Sequence, residues 1–357
     1  MKNNILLCID SLNSGGAQKQ MVLLANKLAK TNNVTLMYYF DYNFFKKKLN
    51  KNINIIYTRG KLRFIFNLIY MIYSQKIEVI YSYLNSVNIL VGGIGFLIGY
   101  KKIILSERGE HFLNSKLRKL LMRIIARRIC YISANSIYLT NRIKNELKIE
   151  NVRYVPNIIK MSKNCSQKSM DNIINIGLIG RFEKEKNQIF PLQQFIGLRN
   201  IIHNKIIFHF AGRNDTNYFK ETIYPFVKYN NIERYCKFYG QIREIDDFIK
   251  KMDFIVLPSL RESFSNVIIE SYNQCRPVLC SNVGDNKYII DNEIYGFIYE
   301  NKIQFEKYFI QLCEMNQKER FRIGKVGKEK IKEKFENIGI KENIRLLNSV
   351  SRKYSER

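Results

Sequence analysis

The sequence predicts an α/β protein built from two doubly wound domains, each around a parallel sheet. Three observations carry that expectation. The chain has 357 residues, enough for two ordinary domains with separate cores. Short apolar runs alternate with helical stretches along nearly all of it, the pattern of βαβ units. The alternation breaks once, at a polar stretch without periodicity, and then starts again. Apolar residues make up 46% of the chain, so it is globular rather than disordered.

In the first half, strands are expected at "NILLCID" (4–10), "VTLMYYF" (34–40), "INIIYT" (53–58), "VIYSYL" (79–84), "KIILSE" (102–107), "CYISA" (130–134) and "VRYVPN" (152–157). Helices lie between them, among them residues 16–30 and 116–128. The opening segment has too short an apolar core and no small-residue cleavage site for a signal peptide, so a cytoplasmic location is expected. The longest uncharged apolar run, "SVNILVGGIGFLIGY" (86–100), is shorter than the roughly 20 residues a membrane span needs and carries four glycines, which predicts a buried helix.

The polar stretch "IIKMSKNCSQKSMDN" (158–172) reads as a linker. After it come "IINIGLIGR" (173–181), "KIIFHFAG" (205–212), "CKFYG" (236–240), "FIVLPS" (254–259), "PVLCS" (277–281) and "GFIYE" (296–300). From Lys318 onward Lys and Glu recur at helical spacing. The expected domains are residues 1–165 and 171–335, with a helix at 336–357 that is a candidate to return to the first domain. Seven cysteines without a CxxC pair argue against a disulfide framework and a zinc site, and are expected as reduced thiols.

The formal net charge is +28, and it is lopsided. Residues 1–170 hold 28 Lys and Arg against 7 Asp and Glu, whereas residues 171–357 hold 31 against 24. The N-terminal half therefore faces something anionic: a membrane surface, a phosphorylated substrate or nucleic acid. No nucleic-acid motif is present, and Tyr and Phe are spread along apolar strands rather than grouped on a basic platform, so nucleic acid is not an expected partner.

"RESFSNVIIESYNQCRP" (261–277) follows an apolar strand and holds two carboxylates, Glu262 and Glu270, eight residues apart. In open α/β sheets ligands sit beyond the carboxyl ends of strands. A helix beginning near Ser265 carries Glu270 in its second turn, on the same side as Asn266. Eight helical residues advance about 12 Å, comparable with the distance from a sugar to a ribose across a diphosphate. The helix start offers backbone N–H groups, that of Val267 among them, and a positive dipole end to the phosphates between. Glu270 then suits ribose hydroxyls and Glu262 those of a transferred sugar. The alternative is two solvated helix-face charges.

These residues do not stand alone. Glu262-Ser-Phe-Ser-Asn-Val-Ile-Ile-Glu270 reproduces an E-x7-E motif, preceded by Pro258-Ser259, and "GGAQ" (15–18), "VPN" (155–157), "GRFEKEKN" (180–187), "FAG" (210–212) and Gly240 follow in order. In these motifs the chain resembles the retaining glycosyltransferases of family 4, bacterial cell-envelope type. The resemblance implies the GT-B fold, two Rossmann-like domains facing across a cleft, with a nucleotide sugar as donor. It departs from the family at Arg276, where Gly usually precedes Pro277, and in "VGDNKYII" (283–290), which keeps only Gly284 of a glycine-rich loop. Sugar specificity is what those changes touch.

By the same resemblance Arg181 and Lys186 neutralise the departing diphosphate, Arg by a bidentate grip and Lys as a point charge. With Glu262 they form the candidate catalytic set. Gly15 and Gly16 let backbone approach the donor or acceptor, and Gly240, Ser265, Asn266, Val267 and Glu270 complete the donor site. No D-x-D motif is present, so transfer without a metal or other cofactor is expected. Glu107, Arg108 and His111 in "LSERGEHF" are candidates for acceptor or sugar contact, against an Arg108–Glu107 ion pair that merely fixes the loop.

"KLRKLLMRIIARR" (116–128) is a basic amphipathic helix, with Lys116, Lys119, Arg123 and Arg127 among recurring Leu and Ile, and such helices lie on anionic bilayers. The expected reading is a glycosyltransferase peripheral on the inner face of the plasma membrane, acting on a lipid-linked or other cell-envelope glycan (O-antigen, capsule or lipopolysaccharide type). The alternative is a non-catalytic nucleotide-sugar or glycan-binding protein on the same fold.

Overall fold

The structure, a computed structural model, describes residues 2–162, 165–167, 173–202, 205–290 and 294–355; the side chains of His111 and Ser355 lie outside that description, as does much of the expected linker. Its contacts divide the chain into two compact units: Met1–Ile159 with Asn337–Arg357, and Lys160–Glu336.

In the first unit strands and helices alternate as β1 (Asn4–Cys8), α1 (Gly16–Leu28), β2 (Asn33–Tyr38), β3 (Asn54–Tyr57), α2 (Lys61–Ser74), β4 (Val79–Tyr83), α3 (Asn85–Ile98), β5 (Ile103–Glu107), α4 (Lys116–Ala126), β6 (Tyr131–Ala134), α5 (Ile137–Leu147) and β7 (Val152–Tyr154). The strands form one parallel sheet in the order β3-β2-β1-β4-β5-β6-β7. Side chains of β1 alternate between two cores. Leu6 and Cys8 join Phe64 and Leu68 of α2, Val91 of α3 and Met122 of α4 on one face. Ile5 and Leu7 join Met21 and Leu24 of α1 on the other. A parallel sheet covered on both faces explains why its strands read as continuous apolar runs.

The second unit runs β8 (Ile173–Ile179), α6 (Ile189–Leu198), β9 (Lys205–Ala211), α7 (Tyr224–Tyr229), β10 (Cys236–Phe238), α8 (Ile245–Lys250), β11 (Phe254–Leu257), α9 (Asn266–Asn273), β12 (Val278–Ser281), α10 (Asn286–Ile289), β13 (Phe297–Tyr299), α11 (Lys302–Glu314) and α12 (Gln317–Phe335). Its parallel sheet has the order β10-β9-β8-β11-β12-β13. The last helix, α13 (Ile338–Ser355), belongs to the first unit, where Leu346, Leu347 and Val350 are buried beside Val79 and Tyr81.

Two expectations need correction. Residues 85–98 do form a helix, but only part of it is buried: Gly92 and Gly95 face Ile125 and Ile103 so closely that an added Cβ would stand 2.5 and 2.2 Å from them, while Phe96 and Leu97 are exposed. The cysteines are not all reduced. Cys165 and Cys275, 110 residues apart, form a disulfide with Cα atoms 6.1 Å apart, and the other five are free. Arg276, one of the two departures from the family pattern, has structural partners. Its guanidinium is buried and donates to the carbonyls of Gln274, Cys275, Ser166 and Lys250, tying together the segments around the disulfide.

Candidate active site

Each sheet reverses its strand order once, between β1 and β4 and between β8 and β11. Such a switch point opens a crevice at the carboxyl ends of the strands, because the flanking helices depart to opposite faces. In the second unit the two strands that border it are the ones that carry Arg181 and Lys186 on one loop and Glu262 on the other. The crevice is built by close backbone approach. Gly180 has φ +148°, and Gly212 lies so near that an added Cβ would stand 1.9 Å from the Gly180 carbonyl. Gln188 donates to the Arg181 carbonyl at 2.8 Å, holding the first loop in shape, and the Leu260 amide donates to the Glu185 carbonyl at 2.7 Å, tying the two loops together.

Across this seam Lys186 Nζ donates to Glu262 Oε1 at 2.5 Å, and Ser259 Oγ donates to the same oxygen at 2.8 Å. The pair is sheltered, with side-chain exposures of 29% for Lys186 and 13% for Glu262. Low exposure strengthens a charge-assisted bond beyond what it is worth in bulk water. Glu262 is also fixed from behind. Gly284 has φ +55°, and a Cβ there would stand 2.0 Å from the Glu262 carbonyl, while the Asp285 amide donates to the Ser263 carbonyl. The one glycine kept in "VGDNKYII" is the one that lets this loop close on Glu262.

α9 begins at Asn266, directly after that loop, and carries Asn266 and Glu270 one turn apart on a half-buried face with Val267 beside them. The Ser265 hydroxyl is buried and donates to Asn286 Oδ1 at 2.6 Å, and Asn286 Nδ2 in turn donates to the Ser281 carbonyl at 3.0 Å. This buried chain pins the start of α9 to the end of β12. Sequence reasoning missed Asn286 and Gln188, since a lone amide in a loop carries no spacing signal. Gly240, two residues beyond β10 and with φ +64°, accepts from the Gly212 amide through its carbonyl at 2.8 Å.

The remaining expected residues fare differently. Arg181 is not drawn to Glu262; its guanidinium is largely exposed and pairs with Glu183 at 3.1 Å. Gly15 is the cap of α1 at the other switch point, closed over by Gln18, whose side chain occupies the space a Cβ would need, and Gly16 is exposed. Glu107 and Arg108 do not pair with each other. Glu107 is buried and accepts from Asn88 at 2.8 Å and Asn85 at 3.1 Å; burial pushes its carboxyl up to about 7, against the lowering effect of the two amides. Arg108 donates to Asn157 at 2.6 Å and lies over the Tyr83 ring. Both are committed inside the first unit, and His111 opens a short 3-10 helix there.

On α4 Lys116 is exposed, as is Arg127 at its C-terminal cap, but Lys119 pairs with Glu146 at 3.3 Å and Arg123 is half-buried. The exposed face of the helix is completed by Arg118 and by Leu117, Leu120 and Ile124. A separate cavity of about 610 Å³ lies among Tyr288, Tyr295, Lys330 and Lys334, and no expected site residue lines it.

Residues 174–315 match the protein family described as glycosyl transferases group 1. Two curated relatives cover most of the chain. One, from Campylobacter jejuni, is an α-1,4-N-acetyl-D-galactosaminyltransferase named for a diNAcBac-PP-undecaprenol-linked acceptor; it is 27% identical over 291 residues, 76% of this chain and 78% of the relative. The other, from Escherichia coli, is a UDP-Gal:α-D-GlcNAc-diphosphoundecaprenol α-1,3-galactosyltransferase, 23% identical over 278 residues, 72% of this chain and 70% of the relative. Among solved structures, Anabaena HepE in complex with UDP superposes with a TM-score of 0.74 at 16% identity, covering 100% of this chain and 99% of HepE.

Two parallel-sheet, Rossmann-like units of this order are the architecture of GT-B glycosyltransferases. The protein is a glycosyltransferase of that fold, and its second unit holds a group 1 glycosyltransferase domain.

Proposed function

We propose that the protein transfers a sugar, with retention of configuration and without a metal, from a uridine diphosphate sugar to an undecaprenyl-diphosphate-linked glycan of the bacterial cell envelope, at the inner face of the plasma membrane. The observation that carries the reading is the ion pair of Lys186 with Glu262 at the switch point of the second unit. It sets a cation for a departing diphosphate beside a carboxylate for sugar hydroxyls. The named acceptors of the two curated relatives and the UDP bound by HepE support the same reading.

Lys186 and Arg181 neutralise the diphosphate as the bond to the anomeric carbon breaks and the sugar gains oxocarbenium character. The amides opening α9 receive a phosphate, and Glu270 accepts from a ribose hydroxyl. The test incubates purified protein with a series of UDP-sugars and undecaprenyl-diphosphate glycans and follows released UDP. At least one donor is turned over only when acceptor is present. Binding of donors without turnover of any would establish the non-catalytic alternative instead.

A further inference from the structure

We propose that α2 is a bilayer-insertion surface: Leu62, Phe66, Tyr70 and Tyr73 sink into the interfacial layer of an anionic phospholipid membrane. The proposal rests on the reading that the acceptor is lipid-linked, and it concerns a helix that neither the motifs nor the basic pattern of α4 singles out. α2 has two apolar faces. Phe64, Leu68 and Met71 are buried in the core of the first unit. Leu62, Phe66, Tyr70 and Tyr73 are 75%, 72%, 63% and 70% exposed. Their spacings of four, four and three residues place them in one stripe along the helix. Single exposed apolar residues are ordinary, but an aligned stripe of this size marks an interaction surface.

The stripe is not isolated. α2 packs against α3, and α3 against α4, on the same side of the first sheet. α3 adds Leu97, 77% exposed, and α4 adds Leu117 and Leu120. Three neighbouring helices thus turn large apolar side chains outward together.

The chemistry selects a bilayer over a protein partner. Tyr and Phe suit the headgroup level, where a ring meets apolar chains and a phenol meets water. On α2 and at its two ends Arg59, Lys61, Arg63 and Lys76 are exposed, and residues 59–77 contain no Asp or Glu, so the stripe is flanked by cations matched to lipid phosphates. A second copy of the chain would instead bring two such faces together in mutual repulsion.

The chain contains no tryptophan, so Phe66→Trp supplies a single fluorescent reporter. On adding vesicles of phosphatidylglycerol and phosphatidylethanolamine, its emission shifts to the blue and brominated lipids quench it, whereas Tyr229→Trp on the second unit, at a residue 87% exposed, shows neither effect. The triple variant F66S/Y70S/Y73S loses about tenfold to hundredfold in vesicle partition, with unchanged melting and unchanged UDP affinity. Protein bound to vesicles with the Phe66→Trp reporter unshifted and unquenched would overturn insertion by α2 and leave the lipid-linked acceptor intact. A blue shift without vesicles that grows with protein concentration would overturn it in favour of a second copy. Absence of vesicle binding beside turnover of a lipid-linked acceptor in detergent would overturn it while sparing the proposed reaction; absence of both would remove the reading on which it rests.

Discussion

Glu262 and Glu270 belong to one loop and helix but meet different neighbours, and their variants separate their roles. Glu262 holds Lys186 and accepts from Ser259, whereas Glu270 stands in the second turn of α9. Glu270→Gln replaces a charge-assisted bond to ribose by a neutral one, a loss of about 1.5–3 kcal/mol, or about tenfold to hundredfold in UDP affinity by calorimetry. Glu262→Gln releases Lys186 from its partner, so UDP binds no more weakly than to the parent, while kcat falls with the lost contact to the sugar. Equal weakening of UDP in both variants would sink this division. The motif made the two carboxylates legible. Their supports were not, because Ser259, Gln188 and Asn286 act by hydrogen bonds between segments distant in sequence, and spacing carries no trace of such bonds.

At the scale of elements, the loop of residues 282–285 is the structural partner of the Glu262 loop, and its fit depends on one missing side chain. Gly284→Ala places a Cβ against the Glu262 carbonyl at a positive φ. The expected outcome is a loss of about 1–3 kcal/mol in chemical unfolding together with a fall in kcat of about tenfold or more, with UDP affinity changed less. An alanine variant with parental turnover would show that this loop does not set the Glu262 geometry. All the strands were legible as apolar runs, because sheets covered on both faces have no polar alternation to obscure them. Short helices such as α8 and α10 were not, since one turn or two gives no periodicity. The Cys165–Cys275 pairing was hidden for a related reason: only the tertiary fold brings two unremarkable cysteines together.

For the whole molecule, charge and apolar surface coincide in the first unit. Lys116 and Arg118 on α4 and Arg127 just past its end are exposed cations, so the variant K116Q/R118Q/R127Q is an informative one; Lys119, already held by Glu146, is less available to lipid. At about 1 kcal/mol for each cation near acidic lipid, the triple variant loses about a hundredfold in partition to anionic vesicles at low salt. It retains UDP affinity, because none of the residues expected at the donor lies on α4 or its flanks. Vesicle sedimentation across a salt series checks this, and unaltered partition at low salt would shift the electrostatic contact away from α4.

The first unit is discontinuous in sequence, and α13 is the piece that arrives last. Val350, Leu347 and Leu346 close one face of the sheet against Val79 and Tyr81. A growing chain emerging from the ribosome therefore carries a first unit with that face still open while the whole of the second unit is being made. The second unit, one uninterrupted segment, has everything it needs to finish folding first. In order of completion, the unit that begins the chain comes second.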